Sequence, residues 1–188
     1  MIEITSETIE RVSLLLDSIP KGAERALSNS INRGLIRVKS GATKGIKETY
    51  KVNPAALNKV TNTIINKAST GNLVGYVSFS GYKIPLYKFS VSPKKPSTGK
   101  KVKASVKVGS GETEFSTAFI ANMKNGHTGV FERVTRKRTP VSELMGLSAA
   151  QMVANEKIMD ELEKEAQELV NARVEHEITR ILNGYNVW

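Results

Sequence analysis

Residues 126–152 read GHTGVFERVTRKRTPVSELMGLSAAQM. Gly126 and Gly129 mark a turn around His127. Val130 and Phe131 form a short apolar strand, and Arg133, Arg136, Lys137 and Arg138 form a basic cluster beyond it. A proline-led acidic turn follows at Pro140 and Glu143, then Gly146. Ser148, Gln151 and Met152 read as a helix start. A strand, a basic cluster and a helix start in so short a segment fit a mixed α+β fold.

Downstream, a helix is predicted from about Ser148 to Leu182. Its apolar stripe runs Met152, Met159, Leu162, Ala166, Leu169, Val170, Val174, Ile178, Ile181 and Leu182. Asp160–Lys164 and Lys164–Glu168 stand at i,i+4 on its outer side, and Asn183-Gly184 closes it. About 35 residues at ~1.5 Å each make a rod of roughly 50 Å. A compact chain of this length has a radius of gyration of only about 16 Å. The stripe therefore packs either wholly on its own sheet or partly on another subunit.

Upstream the texture is β. Thr61–Ala68, Leu73–Ser80, Leu86–Val91, Val102–Val108, Thr117–Met123 and Gly129–Val134 are rich in β-branched and aromatic residues. They predict an antiparallel sheet of about five to six strands. SPKKPSTGKK, residues 92–101, reads as a mobile loop. Nearer the N-terminus, Ser6 is the expected cap of a helix from Glu7 to Ile19, stopped by Pro20 and Gly22. A longer helix spans Ala23 to Tyr50, and its Gly34, Gly41 and Gly45 predict close packing or a bend. Asn53-Pro54 starts a short helix ending near Val60. The expectation is an α+β single domain over 1–188. It has a helical part at 1–60, a basic β-rich part at 61–135 and a long acidic helix at 148–183, the long helices at both ends packing on the sheet.

The bulk numbers limit function. The chain has 188 residues, 28 Lys and Arg against 18 Asp and Glu, and a net charge of +10. Residues 49–111 hold eleven Lys and no Asp or Glu, whereas 143–188 carry a net −5, which leaves +15 on 1–142. Such asymmetry calls for an electrostatic partner: nucleic acid, an acidic protein surface, or a second copy whose acidic helix meets the basic body. No apolar run approaches the ~18 residues of a membrane span. The polar, acidic N-terminal MIEITSETIERV does not read as a secretory signal. No cysteine is present, which removes disulfides and thiolate metal sites.

No catalytic constellation emerges. Ser97-Thr98-Gly99-Lys100 lacks the first glycine and the final hydroxyl of a phosphate loop, with Lys94 and Lys101 in those places. His127 and His176 lack a second ligand at metal spacing, so no metal or other cofactor is expected. His127 fits a structural hydrogen bond or a subunit contact, and His176 a solvated position. The carboxylates Glu161 and Glu165 read as a solvated helix face rather than an acid–base pair. The remaining candidates are basic: Arg133, Arg136, Lys137 and Arg138, and Lys94, Lys95, Lys100 and Lys101 of the loop. They suit a subunit or partner contact, a solvated face, or contact with DNA phosphates. Few aromatics are interleaved with them, so single-strand recognition has little support.

The segment 126–152 resembles the HxGVFxR…RxPIxExxGPSxxQM stretch of the phage minor tail protein Z family. His127, Gly129, Val130, Phe131, Arg133, Arg138, Pro140, Glu143, Gly146, Ser148, Gln151 and Met152 stand where that pattern asks, while Leu147 takes the place of a proline. The run ERALSNSINRGLIRVKSGATKGIKETYKVNPAAL, the Ile84–Phe89 stretch and His176-Glu177-Ile178 are similar to further parts of that family. The resemblance implies a non-enzymatic structural protein of a tailed phage or prophage virion, present in host cytoplasm during assembly. It implies tail completion and head–tail joining at the neck, through a homo-oligomeric ring around the DNA channel, six being the candidate copy number. Neighbouring tail and head–neck proteins are the implied partners, with non-specific contact to genomic DNA and no membrane. In that setting His127, Gly129, Phe131, Pro140, Glu143, Gly146 and Gln151 are expected to be structural. The alternative is a stand-alone basic module binding double-stranded DNA.

Overall fold

A computed structural model describes residues 3–185. In chain order the elements are helices α1 (Ser6–Leu15), α2 (Gly22–Thr49) and α3 (Pro54–Val60), then strands β1 (Thr61–Asn66), β2 (Tyr76–Gly81) and β3 (Lys83–Pro85). A 3-10 turn at Leu86–Lys88 leads to β4 (Ser90–Ser92), β5 (Val102–Ser105), β6 (Thr113–Phe115), β7 (Ala118–Asn122) and β8 (Thr128–Arg133). The chain continues through β9 (Val141–Glu143), β10 (Met145–Ser148), α4 (Ala149–Val153) and α5 (Glu156–Tyr185). The fold is α+β with helices at both ends. Its strands form four small sheets rather than one: β1-β2, β10-β3, β4-β5-β6 and β7-β8-β9. The pairings with a defined register are all antiparallel.

The chain divides into two compact units. One comprises residues 3–43, 63–78 and 155–185, and the other residues 44–62 and 79–154.

In the first unit α1 is capped by Thr5, whose side chain accepts from the Thr8 amide at 3.3 Å; Ser6, the expected cap, is the first helical residue. Val12 of α1, with Leu16 and Ile19 after the helix, packs with Ala26 and Leu27 of α2 and Val174, Ile178 and Ile181 of α5. Glycine lets α2 and α5 approach closely. A Cβ at Gly34 would lie 2.6 Å from Val170 Cγ2, and one at Gly41 would lie 2.6 Å from Leu162 Cδ2. The contacts run in opposite chain directions, so the two helices are antiparallel there. Asn29 donates to Glu177 at 3.1 Å, and Arg37 pairs with Glu165 at 3.0 Å. Both hydrogen-bonding groups of the Asn32 side chain engage the Ala68 backbone, at 3.0 and 2.9 Å.

Two features toward the C-terminus also depart from the sequence reading. The last helix is broken: α4 ends at Val153 and α5 starts at Glu156 after Asn155. The inward stripe of α5 is consequently Ile158, Leu162, Ala166, Val170, Val174, Ile178 and Ile181, while Met159 is 37% exposed. The presumed acidic turn after Pro140 includes strand β9, with Glu143 opposite Phe131.

The second unit holds the three register-defined sheets. Its buried side chains include Ile84, Leu86, Phe89, Val91, Val102, Ile120, Val130, Phe131 and Met152. Asn53 caps α3 by accepting from the amides of Ala55 and Ala56 at 2.9 and 3.3 Å. Leu86–Lys88 turns instead of extending, because Pro85 fixes the backbone ahead of it. The alternating Val102–Val108 run stops pairing as a strand at Ser105, whose hydroxyl donates to the carbonyls of Lys107 and Ser110 at 3.3 and 3.2 Å.

Candidate functional site

The signature segment folds entirely within the second unit. Gly126 adopts φ +80 and turns the chain into β8. Strand β8 is the middle of its sheet, with Phe119↔Phe131 on one side and Phe131↔Glu143 on the other. His127 Nε2 lies 2.8 Å from Glu143 Oε1, and its ring meets Phe131 edge-on at 6.2 Å. The His–Glu contact crosses Gly129: a Cβ there would sit 2.4 Å from Glu143 Oε1 and 3.0 Å from the Phe131 ring. Phe131 also packs against Phe119 with centroids 6.4 Å apart. Four signature positions thus form one interlocked cluster.

The chain then crosses to a second sheet. The Leu144 amide donates to Val130 O at 2.8 Å, and the Leu144 carbonyl accepts from the Leu86 amide at 2.9 Å. In β10, Gly146 faces Phe89, and a Cβ would lie 2.5 Å from that ring. Ser148 and Gln151 complete a capping box at the start of α4: the Gln151 amide donates to Ser148 Oγ at 3.3 Å, and the Ser148 amide to Gln151 Oε1 at 3.0 Å. Pro140 closes the intervening loop by accepting from the Val134 amide at 3.2 Å.

The basic cluster occupies the tip between β8 and β9, where residues 133–140 are all exposed. Arg133 is partly spoken for. Its Nη1 donates to Arg138 O at 2.6 Å, and its guanidinium lies 5.3 Å from the Phe119 ring centroid. Arg136, Lys137 and Arg138 extend from the tip without a carboxylate partner among the described residues.

The loop 92–101 is divided. Lys101 pairs with Glu114, and this hydrogen bond, against some desolvation, holds the Glu114 carboxyl below its ordinary range. Lys94 offers its backbone carbonyl to the Tyr87 hydroxyl at 2.8 Å. Lys95 and Lys100 are exposed and unpaired among the described residues. Lys94 also lines an open hollow of about 460 Å³ together with Lys51 and Lys88. Sequence reading did not single out that trio, since Lys51 lies far from Lys88 and Lys94 along the chain and no local pattern joins them.

Charge follows the division into units. The second unit carries seventeen Lys and Arg against five Asp and Glu, a net +12, and the first carries eleven against thirteen, a net −2. Inside the first unit several acids are satisfied locally. Arg11 bonds Glu175, and that hydrogen bond lowers the Glu175 carboxyl. Burial pushes Glu177 up, but hydrogen bonds from Arg180 and Asn29 and the charges of Arg180 and Arg173 together hold it below the ordinary value. Glu165, read as solvated, instead bonds Arg37. Among the described residues the i,i+4 pairs around Lys164 do not close to ion-pair distance. His176 is exposed, 3.9 Å from Glu177.

Among the described residues no group of three or more His, Cys, Asp or Glu is arranged to hold a metal ion. No helix among them is long and apolar enough to cross a membrane. No curated protein and no solved structure matches the chain. A family model described as prophage minor tail protein Z matches residues 5–185, covering both units and the whole signature segment, and the chain therefore belongs to that family of structural phage tail proteins.

Proposed function

We propose that this minor tail protein completes the head-proximal end of the tail, assembling as a homo-oligomeric ring around the DNA channel that helps join tail to head. The observation that carries the reading is the division of charge. A net charge of +12 on one unit and −2 on the other suits repeated head-to-tail contact between copies, the basic unit of one with the acidic unit of the next. The tip residues Arg136, Lys137 and Arg138 and the loop lysines Lys94, Lys95 and Lys100 are the proposed contacts with the neighbouring copy or an adjoining ring. The protein has a scaffolding role and no chemistry of its own in this reading.

The test is native mass at low and high salt, with and without duplex DNA. A discrete oligomer that dissolves with salt and ignores DNA supports the ring. The triple variant R136E/K137E/R138E should then abolish head–tail joining while its circular dichroism stays that of the parent; normal joining would remove the tip from the contact. The unpaired cations of the second unit also suit a stand-alone duplex-binding module. That reading predicts a monomer that binds DNA and loses about 10³–10⁵ in affinity between about 50 and 200 mM salt, for six to ten phosphate contacts.

A further inference from the structure

The hollow in the second unit is lined by Lys51, Asn53, Tyr87, Lys88, Ser90 and Lys94, over a floor that includes the buried Phe89. Its walls are fixed by the backbone. The Lys51 amide donates to Val106 O at 2.9 Å, the Asn53 amide to Lys88 O at 2.8 Å, and the Tyr87 hydroxyl to Lys94 O at 2.8 Å. The three ammonium groups have no carboxylate partner among the described residues. Lys51 Nζ donates to Ser105 Oγ at 3.0 Å, and Lys88 Nζ lies 5.9 Å from the Tyr87 ring centroid. No Asp or Glu occurs anywhere between residues 49 and 111 to balance them. Three cationic residues lining one concavity make it a favourable place for an anion.

The geometry points to this hollow as the seat for the exposed carboxylates Glu161 and Glu168 on α5 of a second copy, which deepens the self-association proposed above and rests on it. Glu161 and Glu168 are exposed and have no ion pair among the described residues. Seven residues apart on one helix, they lie two turns and about 10.5 Å apart on the same side. Charge complementarity names the occupant: the charged residues lining the hollow are all cations, and Glu161 and Glu168 are exposed carboxylates on one side of one helix, unpaired among the described residues, while DNA phosphate is an outcome of the test. Within one copy Glu175 and Glu177 of α5 are taken by Arg11, Arg180 and Asn29, and Glu165 by Arg37, whereas Glu161 and Glu168 are not.

The experiment uses the full chain at about 50 mM salt, where such contacts are least screened, and reads self-association by sedimentation and duplex retention in parallel. K88E/K94E is expected to weaken self-association at least ~10-fold, and E161K/E168K to do the same. The four changes together should restore association to within about threefold of the parent, because both signs are exchanged. K88Q/K94Q repeats the first arm with less perturbation should the reversed variant fold poorly. A parent that associates while K88E/K94E associates equally well overturns the seat but leaves the ring standing. Two weakened variants with no rescue in combination overturn the pairing. Lost DNA retention with unchanged self-association assigns the hollow to phosphate and overturns the proposal. A parent that shows no salt-sensitive association removes the ring reading and this site with it.

Discussion

Gly34 sets two opposing effects against each other. Replacing glycine by alanine in a helix interior stabilises by about 1 kcal/mol through lost unfolded-state freedom. Here the new Cβ would stand 2.6 Å from Val170 Cγ2, at least 0.8 Å inside ordinary contact distance. Val170 is 2% exposed and β-branched, so its χ1 is nearly fixed in a helix and the methyl cannot swing aside. The helices must separate, and overpacking of this kind costs about 1–3 kcal/mol. With the stiff neighbour the upper part of that range applies, and Gly34→Ala should lose about 1–2 kcal/mol net. For a chain of this size that is a fall of roughly 2–8 °C in Tm.

At Gly41 the opposing atom is Leu162 Cδ2, also 2.6 Å away but at the end of a side chain with a further rotatable bond. Gly41→Ala should therefore lose less than Gly34→Ala. Urea unfolding followed by far-UV circular dichroism checks both, and a double-mutant cycle isolates the contact. Val170→Ala alone removes buried methyls, yet in the Gly34→Ala background it also removes the clash. The two changes should then be less destabilising together than their sum by about 1–2 kcal/mol. A Gly34→Ala protein that is more stable than the parent, or a cycle that closes additively, would refute the close approach of α2 and α5 as the reason for glycine.

Two further expectations concern stability. Ser148→Ala removes the side-chain half of the α4 capping box and should lower the urea midpoint by the equivalent of about 1 kcal/mol with unchanged slope; an unshifted midpoint would show the cap to be idle. Glu177 is held below its ordinary carboxyl value of 4.5, so its stabilisation is complete above that value and is lost as pH falls through the lowered one. Glu177→Gln should accordingly lose less stability than the parent between about pH 5 and about pH 3, and equal losses in urea midpoints over that range would contradict the assignment.

Sequence was most informative where one short-range cause acts alone. Asn53-Pro54 fixed the start of α3, since a side-chain cap and a preset φ need no tertiary help. Ser148 and Gln151 announced the helix start at α4 for the same reason. The α5 stripe was legible from Leu162 onward, and only its start was misplaced, because Met152 and Val153 belong to a separate short helix. Forcing one period through the Ala154-Asn155 break placed Met159 inward, whereas Ile158 is the residue buried at 2% exposure. The division into four small sheets depends on long-range pairing such as β10 with β3, which no local pattern encodes. The hairpin cluster was half legible: His127 suited a structural hydrogen bond, but Glu143 looked like a turn residue because β9 is only three residues long. The basic tip was visible as a charge run, while the restraint of Arg133 by the Arg138 carbonyl and the Phe119 ring was not.

The tip between β8 and β9 is shut at its base by the Val134–Pro140 and Arg133–Arg138 bonds and sends no side chain into the core. Its five residues from Thr135 to Thr139 can therefore be rebuilt without disturbing the fold, which separates folding from joining. A short epitope or a biotin acceptor peptide spliced there leaves the β-framework as it is. Because the proposed contacts Arg136, Lys137 and Arg138 lie in that segment, a tagged subunit that folds yet is missing from whole particles would place the tip in the contact, and one that is incorporated would show the tip to be free of it.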